Sequence, residues 1–221
     1  MEAGCHARSS VHPREVGRRA LFLLLGALPK GVCCDSQRPT IRMCCTNSCS
    51  LTTEPPGGLA CGASSAEYDL ILGWLSAKVY VGDGGSSVLA QDDFIVTGPS
   101  GTPLTFKATL EVSINVCGIP MAGASAGLGE GSNGDSISVT TPCRYVHDLL
   151  EITLSHSAGE PFRLTLGAST WSIEGGNASV SGILRFSDLP PEAGVSSCQG
   201  FLQAPTPVRA GSWGQLKSRY R

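Results

Sequence analysis

"GEPFRLTLGASTWSIEGGNASVSGILRFSDLPP", residues 159–191, decides the fold. Phe162, Leu164, Leu166 and Ala168 share one parity; Arg163, Thr165, Gly167 and Ser169 share the other. Successive side chains of a strand point to opposite faces, so this half reads as a strand with one apolar and one wet face. After Gly175-Gly176 the alternation resumes, with Ala178, Val180, Gly182, Leu184 and Phe186 set against Ser179, Ser181, Ile183 and Arg185. Two such runs joined by a glycine-bearing turn predict a β-hairpin. A two-residue turn at Gly175-Gly176 would set Leu164 opposite Ser187. A three-residue turn, Glu174 to Gly176, sets Leu164 opposite Phe186, Leu166 opposite Leu184 and Ala168 opposite Gly182. A slip of one residue turns every side chain to the other face, so the second register is expected. Gly176 would then take the left-handed position of the turn.

Working outward, 68–81 reads as a strand broken near Gly73, and 93–96 as a brief one. Segment 104–117 alternates cleanly, with Phe106, Ala108, Leu110, Val112 and Ile114 against Thr105, Lys107, Thr109, Glu111 and Ser113. Segments 136–140, 149–156 and 195–201 complete about eight strands with no helix, the pattern of a sandwich or barrel. Each clean strand has one greasy face, and two sheets packed face to face bury such faces. The expectation is an all-β, two-sheet antiparallel β-sandwich over 59–203, with an unstructured leader over 1–58 and a basic, disordered tail over 204–221.

Charged residues make up 15% of the 221, with 28 Gly, which suits an extracellular β protein better than a cytosolic helical one. Charge is segregated: residues 1–50 carry a net +4, 51–200 a net −10 and 201–221 a net +4. An acidic body would repel phosphates, which argues against nucleic acid as its partner. No run approaches 18 apolar residues, so no transmembrane segment is expected.

Near the N-terminus, Arg18-Arg19 precede an apolar run from Ala20 to Leu28, the shape of an export signal and loosely of a twin-arginine one. Glu2 and Glu15 interrupt the basic region, and no small-residue cleavage site follows; a true start further downstream is the alternative. Cys33, Cys34, Cys44, Cys45 and Cys49 follow in a stretch without C-x-x-C metal spacing, read as part of an unstructured leader, with a small disulfide knot as the alternative. Four more cysteines belong to the body: Cys61, Cys117, Cys143 and Cys198. Their even number suits an oxidising compartment, with free thiols as the alternative. Of three pairings, Cys117–Cys143 would pin the base of a Gly-rich loop, worth about 3 kcal/mol in the chain-entropy model. Cys61–Cys198 would then tie the first segment to the last strand.

Several motifs suggest chemistry. Gly123 to Gly127 spells G-x-S-x-G around Ser125, but a nucleophile elbow needs a helix to follow, and only His147 and His156 could act as base within the body. Gly129 to Gly134 spells G-x-G-x-x-G without the βαβ context that dinucleotide binding needs, so it reads as a flexible loop. Asp83, Asp92, Asp93, Glu130 and Asp135 could offer oxygens to calcium, the one cofactor considered; their spacing matches no EF-hand, and solvated turn residues are the plainer reading. Asn177-Ala178-Ser179 is a glycosylation sequon. Trp74, Trp171 and Tyr145 could form a sugar-stacking platform, or could pack on the sheets.

The segments "GEPFRL", "GILRFSDLPPEAGVSSCQGF" and "DDFIVTGPSGTPLTF" resemble a group of bacterial secreted β-sandwich proteins, similar in style to the ectodomains of PEP-CTERM-type anchored proteins. The resemblance covers about 76–203 and implies export and a β-sandwich, and no activity. The end, "PTPVRAGSWGQLKSRYR", is similar to short Trp-Gly-x-x-Lys tails on some such proteins. There Trp213, Leu216 and Tyr220 share one face of a short helix, a candidate docking or sorting tag. The sequence therefore leads to an exported, non-enzymatic β-sandwich with a surface, matrix or ligand-binding role. The alternatives are a carbohydrate-binding module and a hydrolase using Ser125.

Overall fold

The computed structural model describes residues 40–45, 48–52, 57–80, 84–98, 103–118 and 121–204. The chain divides into two units, Met1–Val32, outside the described residues, and Cys33–Arg221, to which everything below refers. The export-signal segment, Cys33, Cys34, Asp83 and the tail residues Trp213, Leu216 and Tyr220 also lie outside the described residues.

Fourteen strands are described: β1 (Thr40–Cys45), β2 (Ser48–Thr52), β3 (Gly57–Cys61), β4 (Ser64–Asp69), β5 (Trp74–Val79), β6 (Gly84–Thr97), β7 (Pro103–Cys117), β8 (Met121–Glu130), β9 (Asn133–Thr140), β10 (Arg144–Ser157), β11 (Pro161–Ile173), β12 (Asn177–Ser187), β13 (Gly194–Ser197) and β14 (Leu202–Gln203). They form two antiparallel sheets packed as a sandwich. The first runs β14-β13-β6-β11-β8-β9, with β1 also on β6 and β2 on β1; the second runs β10-β7-β12-β5-β4-β3. Among the described residues no helix is long and apolar enough to cross a membrane.

The inward faces are those the alternation picks out. Leu164 and Leu166 on β11, Val180 and Leu184 on β12, and Leu110, Val112 and Ile114 on β7 are all buried. Five of the six phenylalanines gather at one end of the core: Phe94, Phe106, Phe162, Phe186 and Phe201, with ring centroids 5.5–6.5 Å apart where they touch. His156 stacks on Phe162 at 4.4 Å.

The expected hairpin is corrected. β11 hydrogen-bonds to β6 and β8 in the first sheet, and β12 to β5 and β7 in the second. Leu164 sits opposite Asp92, not Phe186, and Leu184 opposite Leu110. The segment 174–176 is thus a crossing between sheets. Glu174 (φ 51°) and Gly175 (φ 99°) turn the chain there, not Gly176. Gly176 is glycine for want of space: a Cβ would come within 2.9 Å of both Ala122 Cβ and Ser172 Oγ.

Three further expectations change. The Gly-rich stretch after Cys117 is no loop: β8 and β9 pair from Gly123↔Thr140 to Glu130↔Asn133, and the G-x-G-x-x-G is their turn. Ala122, Ala124, Ala126 and Leu128 supply the buried face, so small residues hide an ordinary strand alternation. The brief 93–96 strand is the end of β6, which runs from residue 84. The leader boundary at 58 is also displaced. Ile41, Met43 and Cys45 of β1 are buried against the core, and β1 pairs with β6 from Thr40↔Gln91 to Cys45↔Ser86.

Cys117 and Cys143 are bonded. Cys61 is bonded to Cys45, not to Cys198, and so joins β3 of the second sheet to β1 of the first. Cys44 and Cys49 join β1 to β2. Adjacent cysteines on a strand face opposite ways, which is how Cys44 and Cys45 serve different bonds. Three disulfides among the described residues suit an oxidising compartment.

Candidate functional site

The outer face of the second sheet, beside the turn between β4 and β5, carries a candidate site. Asp69 ends β4, and its Oδ1 accepts hydrogen bonds from the N–H groups of Ile71 (3.0 Å) and Leu72 (3.1 Å), the local turn that Asp favours. Gly73 closes the turn at φ 67°, where a Cβ would also meet Phe201 at 2.9 Å. Its carbonyl accepts the Leu184 N–H at 2.7 Å, fixing the turn to β12. The chain then enters β5 with Trp74 directly opposite Asp69 on one side and Ile183 on the other.

Around Trp74 opens a groove of about 740 Å³, within the range that holds small ligands. Gly58, Ala60, Glu67, Asp69, Leu72 and Trp74 line it. On the β3 side the lining is Gly57, Gly58, Leu59 and Ala60, of which only Leu59 carries a large side chain. Trp74 is half-buried, and Leu72 and Ile183 beside it are exposed. An indole offers a flat apolar face with a polar N–H, and the carboxylates accept hydrogen bonds, the combination that suits the C–H face and hydroxyls of a sugar. Glu67, Asp69, Leu72 and Ile183 were not singled out from the sequence. The signal that could have found Glu67 and Asp69 is the alternation of 64–69 followed by a turn, which puts both on the face of Trp74.

The other two aromatic candidates do not join this platform. Trp171 lies on the outer face of the first sheet, on the opposite side of the sandwich, packed over Gly123, where a Cβ would be 2.6 Å from the indole. Tyr145 is exposed on β10, three strands from β5 and in a different register row.

Ser125 is mid-strand on the outer face of the first sheet, with its Oγ 2.8 Å from that of Ser169. His156 turns inward onto Phe162, and His147 lies on the outer face of the second sheet, so neither stands beside Ser125. A different group of polar side chains forms around His147: its Nδ1 is 3.1 Å from Ser113 Oγ and its Nε2 3.3 Å from Glu111 Oε1. Ser–His–carboxylate is the order of a hydrolytic triad. Ser113, however, stands in β7, which pairs with β10 on one edge and β12 on the other, so its backbone N–H groups are committed to the ladders and offer no oxyanion hole.

The calcium candidates are engaged in separate places. Arg163 donates to Asp93 through Nε (2.7 Å) and Nη2 (2.8 Å). Glu130 Oε1 lies 2.6 Å from His156 Nε2. Asp135 accepts from the N–H groups of Ser136 (2.8 Å) and Glu151 (3.0 Å), and so covers part of the open edge of β10. Among the described residues no three acidic, histidine or cysteine side chains converge on one point.

Asp92 sits on the buried parity of β6, 2% exposed, at the break between the β1 and β13 pairings. Burial pushes its carboxyl from 3.8 up to about 6, against hydrogen bonds from Ser197 and from the Asp93 and Gln199 backbone. A carboxyl raised on folding stabilises the fold fully below its unfolded value and loses that contribution as pH rises through its folded value. Its share of stability should therefore fall by about 3 kcal/mol between about pH 4 and pH 7. Asp92→Asn, which resembles the neutral acid, should match the wild type in urea at about pH 4 and exceed it at about pH 7. A variant weaker than wild type at the higher pH would refute this.

The class that fold and site define is a two-sheet antiparallel β-sandwich with an aromatic-and-carboxylate groove on one outer face. No family model matches the chain, and no curated protein does. Among solved structures it is similar to TmCBM61 in complex with β-1,4-galactotriose, at 10% identity and a TM-score of 0.31, covering 60% of this chain and 87% of that one. It is also similar to the enzymatically active domain of bacteriophage CBA120 tailspike protein 4, at 14% identity and a TM-score of 0.26, covering 70% of this chain and 20% of that one. Neither likeness bears on what this chain binds.

Proposed function

We propose that the folded body is an exported, non-catalytic β-sandwich that binds carbohydrate at a cell surface or in a matrix, with Trp74 as the stacking residue. The observation that supports this is the half-buried indole of Trp74 in a groove shared with Glu67 and Asp69. The three disulfides favour export, because such bonds persist in oxidising compartments.

A glycan array with the full chain, followed by titration of the best oligosaccharide, tests the reading. Trp74→Ala is expected to weaken binding about 30-fold or more, as removal of a central aromatic anchor costs about 2 kcal/mol. Trp171→Ala and Tyr145→Ala are expected to leave it within about twofold, because neither lies in the groove. Absence of binding to every glycan, or binding indifferent to Trp74, would remove the proposal.

A further inference from the structure

We infer that the Trp74 groove selects a cationic saccharide, an oligomer of amino sugars with free ammonium groups; this rests on the carbohydrate reading above. The argument is charge complementarity. Glu67 and Asp69 both line the groove, two residues apart on the same face of β4, and among the described residues no Lys, Arg or His lines it with them. Among the described residues the ion pairs lie elsewhere, at Glu111, Glu130, Glu151, Asp93 and Asp188. On the same face Lys78 stands opposite Ser65, two register rows from Glu67, and Arg185 lies two residues beyond Ile183 and pairs with Glu111; neither is part of the lining.

A neutral sugar would leave two like charges side by side on the β4 wall of the groove. An ammonium-bearing sugar would neutralise them. It would also place its cation near an indole face, which attracts cations through the ring quadrupole. The small residues Gly57, Gly58 and Ala60 on the β3 side let a flat ring approach closely, which favours a pyranose over a lysine-rich peptide with bulky side chains.

The test titrates the full chain with four probes at low salt: the β-1,4 hexamers of glucosamine, N-acetylglucosamine and glucose, and hexalysine. The glucosamine hexamer is expected to bind at least about tenfold more tightly than the other three, and to weaken as salt screens the charges. Glu67→Gln with Asp69→Asn is expected to erase that preference. Both are isosteric, and the Asp69→Asn amide retains an Oδ1 acceptor to hold the turn, so the melting temperature should be unchanged. Gly58→Leu keeps both carboxylates but sends a side chain into the groove, its Cβ 3.3 Å from Glu67 Cγ, and is expected to abolish binding.

Equal affinity for the three hexamers, still dependent on Trp74, would overturn the amino-sugar inference and leave the carbohydrate reading standing. A preference that survives the double variant would overturn it as well, as would hexalysine binding as tightly as the glucosamine hexamer. If no saccharide binds through Trp74, the carbohydrate reading itself fails.

Discussion

Leu164→Asp is expected to abolish the cooperative fold, and Leu184→Asp to do the same. Leu164 is 0% exposed and Leu184 2%, on facing strands of opposite sheets. An uncompensated carboxylate there lies between two apolar layers, and no Lys, Arg or His is buried among the described residues. The cost is several kcal/mol, comparable to the whole stability of a domain of about this size. Thr165→Asp and Ser181→Asp place the same charge on the outer faces, and are expected to change stability by about 0.5 kcal/mol or less. Urea melts of the four variants decide it. Similar midpoints for the inward and outward pairs would mean that the faces are wrongly assigned.

The second large effect concerns the disulfides. The chain leaves the second sheet at Cys117, builds β8 and β9 in the first, and returns to the second at Arg144, beside Cys143. The Cys117–Cys143 bond, 26 residues apart, ties departure to return, and Cys45–Cys61, 16 apart, ties one sheet to the other. The chain-entropy model assigns each about 3 kcal/mol, through the freedom it denies the unfolded chain. Cys117→Ser with Cys143→Ser should lower the urea midpoint by more than about 1 M, and Cys45→Ser with Cys61→Ser by a similar amount. Non-reducing peptide maps should recover both cross-linked pairs. Alkylatable thiols at Cys45 and Cys61, or unchanged midpoints, would contradict the bond between the sheets.

Both predictions draw on information of unequal visibility. That Leu164 and Leu184 point inward follows from alternation, which is local: each residue's face depends on its neighbours at i±1 and i±2. The same rule misread 118–135 because glycine, alanine and serine differ too little in polarity to show a face. It passed over Ile41, Met43 and Cys45 because cysteines and short polar residues masked the period.

The amino-acid sequence by itself determined the all-β class, the inward face of the long strands and the acidic charge of the body. It also brought forward Trp74. The tertiary structure alone decided which strand bonds to which. β11 and β12 satisfy the same alternation whether they pair with each other or cross to opposite sheets. The choice is made by backbone N–H and C=O groups that every residue carries, so it leaves no mark in residue identity. The partner of Cys61 followed from that choice, because β1 and β3 come together only once the two sheets are packed. So did the groove, in which Glu67 and Asp69 meet Trp74 because β4 happens to lie beside β5 with Asp69 opposite the indole.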